Sequence, residues 1–224
     1  MRTLLHACLL LLPLACHAQA NGSDADDCRN GLFPREQESL SLGVVQGRSG
    51  EKVHFFDDMD GCPSKGAICK RPAYLLPGDH ILVGKRTADW ACVRYQGKQH
   101  ESVSWVPRKN VTLLPAQPIH PMRDWVGLWS DGLSTIRFAP AKDGAGQLQM
   151  TSRLRWDGGV DSGGERRMNF GGMTGSVDVQ GAKATASEHD CQVALTRIGH
   201  YLVADDNGNC GGMNVRHTGV YSRR

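Results

Sequence analysis

The stretch "AYLLPGDHILVGKRTADWACVRYQGKQHESVSWVPRKNVTLL", residues 73–114, decides the fold class of the first half of the chain. Its apolar segments are short, rich in valine, isoleucine, tyrosine and tryptophan, and separated by glycine, proline and aspartate. In "ILVGKR" and "ACVRY" no apolar run keeps a helical period over three turns. The pattern predicts a small all-β barrel or sandwich over residues 40–114.

This segment resembles bacterial SH3 (SH3b) domains. The matching features are Pro77-Gly78-Asp79 before a strand, a Trp-x-x-Val strand that begins at Trp90, and Trp105-Val106 shortly before the final strand. The segment departs from the family where Ser104 replaces the usual glycine, and in the insertion "DDMDGCPSKGAIC" at residues 57–69. The resemblance implies a binding module for cell-wall peptide or for protein partners, without catalytic activity.

Three aromatic residues of this segment, Trp90, Tyr95 and Trp105, are candidates for a binding surface. Large aromatic side chains on a small barrel either line a recognition face or, more often, fill the core. Trp105 is the strongest candidate for a groove because polar "ESVS" precedes it and Pro107 follows it closely. If Trp105 lies in a groove, Trp105→Ala weakens partner binding; if it lies in the core, the same change unfolds the domain.

The second half of the chain, residues 124–224, predicts another antiparallel β-barrel or sandwich, so the fold class is all-β with two small domains. "LQMTSRLRW" (148–156), "TGSVDVQ" (174–180) and "HYLVADD" (200–206) alternate apolar and polar residues at period two. Asn207-Gly208 predicts a hairpin turn. Three prolines at positions 115, 118 and 121 predict a short, stiff linker over residues 115–123.

The start of this second unit is similar to lipocalin-like barrels, on the G-x-W of Gly127 to Trp129 and a basic chain end. The resemblance implies that Trp129 crosses the barrel bottom and that Arg223 or Arg224 covers it. The ending "DNGNCGGMNVRHTGVYSRR", residues 206–224, also resembles a recurring C-terminal pattern of exported bacterial proteins with no assigned role. A fold follows from these patterns, but a function does not.

The first 20 residues are typical of a secretory signal. Arg2 precedes an apolar run over residues 4–16, and Ala18-Gln19-Ala20 is a small-x-small cleavage site. We therefore expect cleavage after Ala20, an N-terminal extension over residues 21–39, and a periplasmic or secreted protein. Lipidation at Cys16 is the less favoured alternative, because Pro13 stands where an aliphatic residue is usual.

Export predicts disulfides. The chain has eight cysteines, and loss of Cys8 and Cys16 with the signal leaves six, an even number. We expect Cys191 to pair with Cys210. The other four allow three connectivities, of which Cys62 with Cys69 and Cys28 with Cys92 is favoured. We expect no metal site, because the chain has no C-x-x-C or H-E-x-x-H pair that would complete one.

The same pairing argues against an enzyme, because it removes Cys210 as a nucleophile beside His217. We expect no cofactor, and no catalytic constellation stands out in the sequence. The formal net charge of +3 gives no case for nucleic-acid binding, and nothing beyond the leader resembles a membrane-spanning segment.

The sequence leaves three functional hypotheses open. The first is an exported, non-catalytic envelope-binding protein that recognises peptidoglycan or inhibits a cell-wall hydrolase, as an inhibitor or immunity protein. The second is a carrier of a small apolar ligand inside the C-terminal barrel, and the third is an enzyme with an unrecognised site. A cavity of several hundred Å³ favours the carrier, whereas a filled barrel with a protruding polar loop favours the inhibitor.

Overall fold

The computed structural model describes residues 27–29, 31–35, 39–97, 101–120, 122–142 and 147–224. The predicted signal segment, its cleavage after Ala20 and the alternative lipid site at Cys16 lie outside the described residues. Within the described ranges, no helix is long and apolar enough to cross a membrane.

The first half of the chain forms a seven-stranded antiparallel sheet in the order β3-β2-β6-β5-β4-β1-β7. The strands are β1 (Ser41–Val45), β2 (Val53–Phe56), β3 (Lys70–Leu75), β4 (His80–Arg86), β5 (Trp90–Gln96), β6 (Glu101–Pro107) and β7 (Val111–Leu113). One face of this sheet encloses an apolar core, to which β1 to β6 contribute buried side chains and β7 contributes half-buried Val111. The sheet therefore curls around its own core, as the alternating sequence predicts.

The second half forms a closed eight-stranded barrel. Its strands are β8 (Gly127–Ser130), β9 (Thr135–Pro140), β10 (Leu148–Val160), β12 (Thr174–Gln180), β13 (Lys183–Glu188), β14 (Cys191–Ile198), β15 (Tyr201–Asp206) and β16 (Gly219–Arg223). β10 pairs with both β9 and β12 and so closes the ring. The second half of β10 continues past the barrel and pairs with β11 (Arg166–Gly171), which forms a projecting hairpin.

Inward-facing side chains fill this barrel. Trp125, Trp129, Phe138, Met150 and Tyr221 belong to one buried cluster that extends through the interior. This packing argues against the carrier alternative, which requires an apolar cavity in the barrel.

The two halves share a second buried cluster. Leu82, Val103 and Trp105 lie on the face of the first sheet that is turned away from its own core, and they pack against Val203 and Val220 on the outside of the barrel. The segment before β1 contributes Cys28 and Phe33 to the same cluster. The two β units are therefore joined by apolar packing as well as by the chain between them.

Three disulfides have the pairing that the sequence analysis favoured. Cys28 bonds to Cys92, Cys62 to Cys69, and Cys191 to Cys210. The first attaches the segment before β1 to strand β5, and the third attaches the 207–218 loop to β14. Asn207-Gly208 does not form the predicted hairpin turn by itself, because β15 ends at Asp206 and β16 begins only at Gly219. The disulfide at Cys210 holds the longer loop in place of a tight turn.

Candidate functional site

Trp105 does not line a groove, contrary to the sequence-based expectation. Its side chain is only 2 % exposed and belongs to the cluster shared by the two β units. The polar residues before it mislead because Ser104, on the opposite face of β6, is itself buried and donates a hydrogen bond to the carbonyl oxygen of Phe56. Trp105 is a core residue.

Tyr95 and Trp90 do not share a surface either. They are five residues apart on β5, an odd separation that places them on opposite faces of the sheet. Tyr95 packs against the core of the first unit, whereas Trp90 packs against the shared cluster. The Tyr95 hydroxyl lies 3.4 Å from Oδ1 of Asp79, and burial, with that carboxylate, raises the pKa of Tyr95.

Trp90 instead joins three aromatic residues that sequence reasoning did not single out. Its ring centroid lies 4.7 Å from that of Phe56 on β2. His54, two residues earlier, lies on the same face and faces Tyr74 of β3, with 5.7 Å between ring centroids. We call Tyr74, His54, Phe56 and Trp90 the aromatic strip.

The position of the strip follows from the alternation in "VHFF", residues 53–56. Val53 and Phe55 are buried in the core of the first unit, so His54 and Phe56 lie on the opposite face, where Phe56 is half-buried against the shared cluster. β3 is one of the two edge strands of the sheet and its side chains are largely exposed; Tyr74 is 41 % exposed. The short run "VHFF" could have revealed half of the strip, but the partner Tyr74 depends on strand register.

Polar groups accompany the aromatic rings of the strip. The Nζ of Lys52 lies 4.6 Å above the ring of Tyr74, and Lys70 stands opposite Phe56 in the sheet. His54 Nδ1 lies 2.9 Å from the carbonyl oxygen of Arg71. Because a carbonyl can only accept, Nδ1 donates, and Nε2 of the neutral ring remains able to accept a hydrogen bond from a ligand.

A second group of polar residues lies inside the barrel end beside the 207–218 loop. His217 Nε2 is 2.8 Å from Ser152 Oγ, and Nδ1 is 3.4 Å from Oδ2 of Asp206. These residue types match a Ser-His-Asp arrangement, but His217 is fully buried and Ser152 is 6 % exposed. Ser152 Oγ also accepts the backbone N–H of Met173. The group holds the loop in place and is not accessible to a substrate in this conformation.

The same barrel end contains a potential metal-ligand cluster. Ligand atoms of Cys191, Cys210 and His217 lie within 4.8 Å of one another. Metal binding by cysteine requires a thiolate, and both sulfur atoms are bonded to each other in the disulfide. The oxidised protein therefore cannot use these residues as a metal centre.

The projecting β10–β11 hairpin is the other prominent surface. Asp161 stabilises its tip by accepting the backbone N–H groups of Glu165 and Gly163, which lower the pKa of Asp161. Asn169 Nδ2 donates to the carbonyl oxygen of Met213 and so connects the hairpin to the 207–218 loop. Phe170 and Met213 are 68 % and 79 % exposed. The hairpin is thus a supported projection with exposed apolar side chains.

Comparisons of the chain with family models, with curated proteins and with solved structures found no match.

Proposed function

We propose that this protein is an exported, non-catalytic binding protein that recognises the glycan strands of peptidoglycan through the aromatic strip. The observation that carries the proposal is the presence of two ring pairs on one sheet face, Tyr74 with His54 and Phe56 with Trp90. Sugar rings present C–H groups on their faces, and aromatic side chains offer an apolar body with polar edges against which they stack.

The polar groups of the strip suit the rest of the polymer. Peptidoglycan carries hydroxyl groups on its sugars and carboxylates on its lactyl and peptide portions. His54 Nε2 and the Tyr74 hydroxyl can hydrogen-bond to the former, and the ammonium groups of Lys52 and Lys70 can pair with the latter. The three disulfides fit the export that the N-terminal sequence predicts.

The direct test is sedimentation of the purified protein with washed, insoluble peptidoglycan. Tyr74→Ala is the informative variant because the side chain is exposed enough to be removed without opening the core. We expect at least a tenfold weaker association, since an aromatic anchor contributes about 2 kcal/mol to binding. Phe170→Ala removes an even more exposed aromatic ring from the other unit and serves as the control.

The two variants give opposite expectations. Binding that survives Tyr74→Ala and is lost in Phe170→Ala refutes the role of the strip. Wild-type protein that does not sediment with peptidoglycan at all refutes the proposal as a whole.

Inhibition of a cell-wall hydrolase is a second candidate, and the β10–β11 hairpin favours it. The barrel interior is filled, and the hairpin projects from it. A supported hairpin of this kind can enter a partner's cleft with little loss of conformational entropy. Lysozyme inhibition by the same sample tests this candidate. Here the variants exchange roles: Phe170→Ala should reduce inhibition and Tyr74→Ala should not.

A further inference from the structure

A row of arginine side chains lies on the outside of the barrel, on the neighbouring strands β9 and β10. Every second residue of both strands is buried, and Arg137 and Arg153 lie on the opposite, outward face. Arg137 pairs with Thr151, so Arg153, two residues further along β10, is its diagonal neighbour. Arg155 follows on the same face of β10. Neighbours of both kinds are about 7 Å apart, so the three guanidinium groups can reach one extended anionic surface together.

No carboxylate of the described residues compensates this row. The side chains of Arg137 and Arg153 are exposed and make no hydrogen bond or salt bridge within the described part of the chain. The Nη2 of Arg155 lies 3.2 Å from Sδ of Met168, and its Nε has no hydrogen-bond partner among the described residues. The three positive charges therefore remain available to a partner.

The acidic residues around the row are already engaged elsewhere. Asp157 pairs with Arg166 and Asp161 with Arg167, both within the projecting hairpin. Asp131, in the β8–β9 turn, accepts two backbone N–H groups of its own turn. Like charges on neighbouring positions of a sheet are destabilising. An uncompensated row of arginines thus costs stability that an anionic partner would recover.

Exposed apolar side chains frame the row. Leu128 of β8 stands opposite Arg137. Phe170 of β11 stands opposite Arg155. Leu133 lies in the β8–β9 turn, which accepts the backbone N–H of Arg155 through a serine hydroxyl at 3.1 Å. All three apolar side chains are exposed, so cations and apolar groups share one outward surface. We call Arg137, Arg153, Arg155 and these three apolar residues the basic wall.

We propose that the basic wall docks on the surface of a bilayer rich in anionic phospholipid. The planar guanidinium group matches the geometry of phosphate oxygens. Apolar side chains beside such cations enter the boundary between head groups and acyl chains. A soluble anion would engage the arginines alone, whereas a lipid surface engages both parts of the wall. This inference does not depend on glycan recognition, and the wall lies on the other unit from the aromatic strip.

The test is sedimentation of the purified protein with lipid vesicles. We expect binding to vesicles of equal parts phosphatidylglycerol and phosphatidylcholine, and at least tenfold weaker binding to phosphatidylcholine alone. Raising sodium chloride from about 0.1 M to about 0.5 M should weaken the binding to anionic vesicles, because salt screens exposed charges. Equal binding to both kinds of vesicle overturns the role of the arginines. No binding to the anionic vesicles overturns the proposal.

Two double variants locate the docking surface. Arg137→Gln with Arg153→Gln should weaken binding to anionic vesicles at least tenfold, since each basic side chain near such a surface contributes about a factor of five. Arg48→Gln with Arg86→Gln removes the same charge from exposed positions of the first unit and should leave binding nearly unchanged. Equal losses in both overturn the assignment to the wall. Thermal unfolding of the first variant should be unchanged or shifted upward, because the change relieves repulsion.

A second pair of variants tests the apolar part of the wall. Leu133→Ala should weaken vesicle binding about threefold, because less apolar area enters the lipid. Ile68→Ala shortens an exposed side chain of equal size in the first unit and should have no effect. Equal binding by the two variants overturns the contribution of the apolar residues.

Soluble competitors identify the class of partner. Glycerol phosphate and polyglutamate, each at the same concentration of anionic groups as the vesicles, should not displace the protein from them. Full displacement by glycerol phosphate assigns the row to a small phosphate compound, and full displacement by polyglutamate assigns it to an acidic protein surface. Either result overturns docking on lipid.

Peptidoglycan sedimentation with the same variants separates this proposal from the proposed function. The Arg137→Gln, Arg153→Gln variant should retain peptidoglycan binding, and Tyr74→Ala should retain vesicle binding. Each proposal can therefore fail while the other stands.

Discussion

The guanidinium of Arg197 lies over the ring of Trp129, with Cζ 4.1 Å from the ring centroid. The expected partner Arg223 is farther away, with its Cζ at 5.6 Å. Arg197 also donates to the carbonyl oxygens of Asp124 and Gly199. Burial lowers the pKa of Arg197 to about 10, and the positive charge of Arg223 contributes in the same direction. Arg197 thus covers the Trp129 ring more closely than Arg223, whereas the resemblance to lipocalin-like barrels implied Arg223 or Arg224 for this place.

Arg197→Ala should lower the free energy of unfolding by about 3 kcal/mol. The change leaves two carbonyl oxygens without their donor and removes the aliphatic stem that packs beside Trp129. Arg223→Ala should cost less than half as much, because that side chain is exposed. Chemical denaturation of both variants makes the comparison, and equal costs would show that the two arginines share the role.

Trp105→Ala should destabilise the protein by about 3–5 kcal/mol, the usual cost of emptying a tryptophan site in a core. Trp105→Phe is the control. The Trp105 Nε1 is buried with no hydrogen-bond partner among the described residues, so its loss removes no such bond. We expect this variant to keep most of the stability in thermal unfolding. A stable Trp105→Ala protein that only fails to bind peptidoglycan would restore the groove assignment.

Asp206 should make stability fall at acidic pH. Burial raises the pKa of Asp206, but the adjacent His217 side chain and hydrogen bonds from the backbone N–H groups of His217 and Gly208 outweigh it and lower the pKa from 3.8 to about 2. A carboxyl with a lowered folded-state pKa stabilises the protein above its unfolded pKa. That contribution, on the order of 2 kcal/mol, is lost as the pH falls from about 4 through 2. Asp206→Asn, measured by urea denaturation, should lose less stability across this window than wild type.

The free energy of unfolding that is lost when a disulfide is removed should increase with the length of the loop that the disulfide closes. Cys28 and Cys92 are 64 residues apart in sequence, so replacing both by serine opens a long loop. By the chain-entropy relation, this change should lower the free energy of unfolding by about 4 kcal/mol. Replacing Cys62 and Cys69, only 7 residues apart, should cost about 2 kcal/mol. Unfolding experiments on the two double variants test the order. Titration of the denatured, unreduced protein should also find no free thiol, and two or more free thiols would contradict the pairing.

The strands were predictable from sequence because period-two patterns report which side chains face a core. In residues 148–154 of β10, every second residue is buried, as the alternation predicts. The candidate site was less accessible to such reasoning. Local sequence shows an aromatic residue at Trp90 that follows polar Asp89, but not that Phe56 lies against it across the sheet.

The sequence also did not predict that the second unit buries Trp105. Trp105 lies on the outer face of its own sheet, and only the packing of β15 and β16 covers that face. A pattern within one unit cannot report contacts with another that begins about twenty residues later. The same limit explains Arg197, whose role depends on where the barrel closes around Trp129.

The apolar contact between the halves has a consequence for how such a chain can evolve. Either half moved alone into another gene would carry an uncovered patch, formed by Leu82, Val103 and Trp105 on one side or by Val203 and Val220 on the other. Exposed patches of this kind promote aggregation. Recombination within residues 115–123 would therefore give proteins of low solubility, and we expect the two halves to be inherited together.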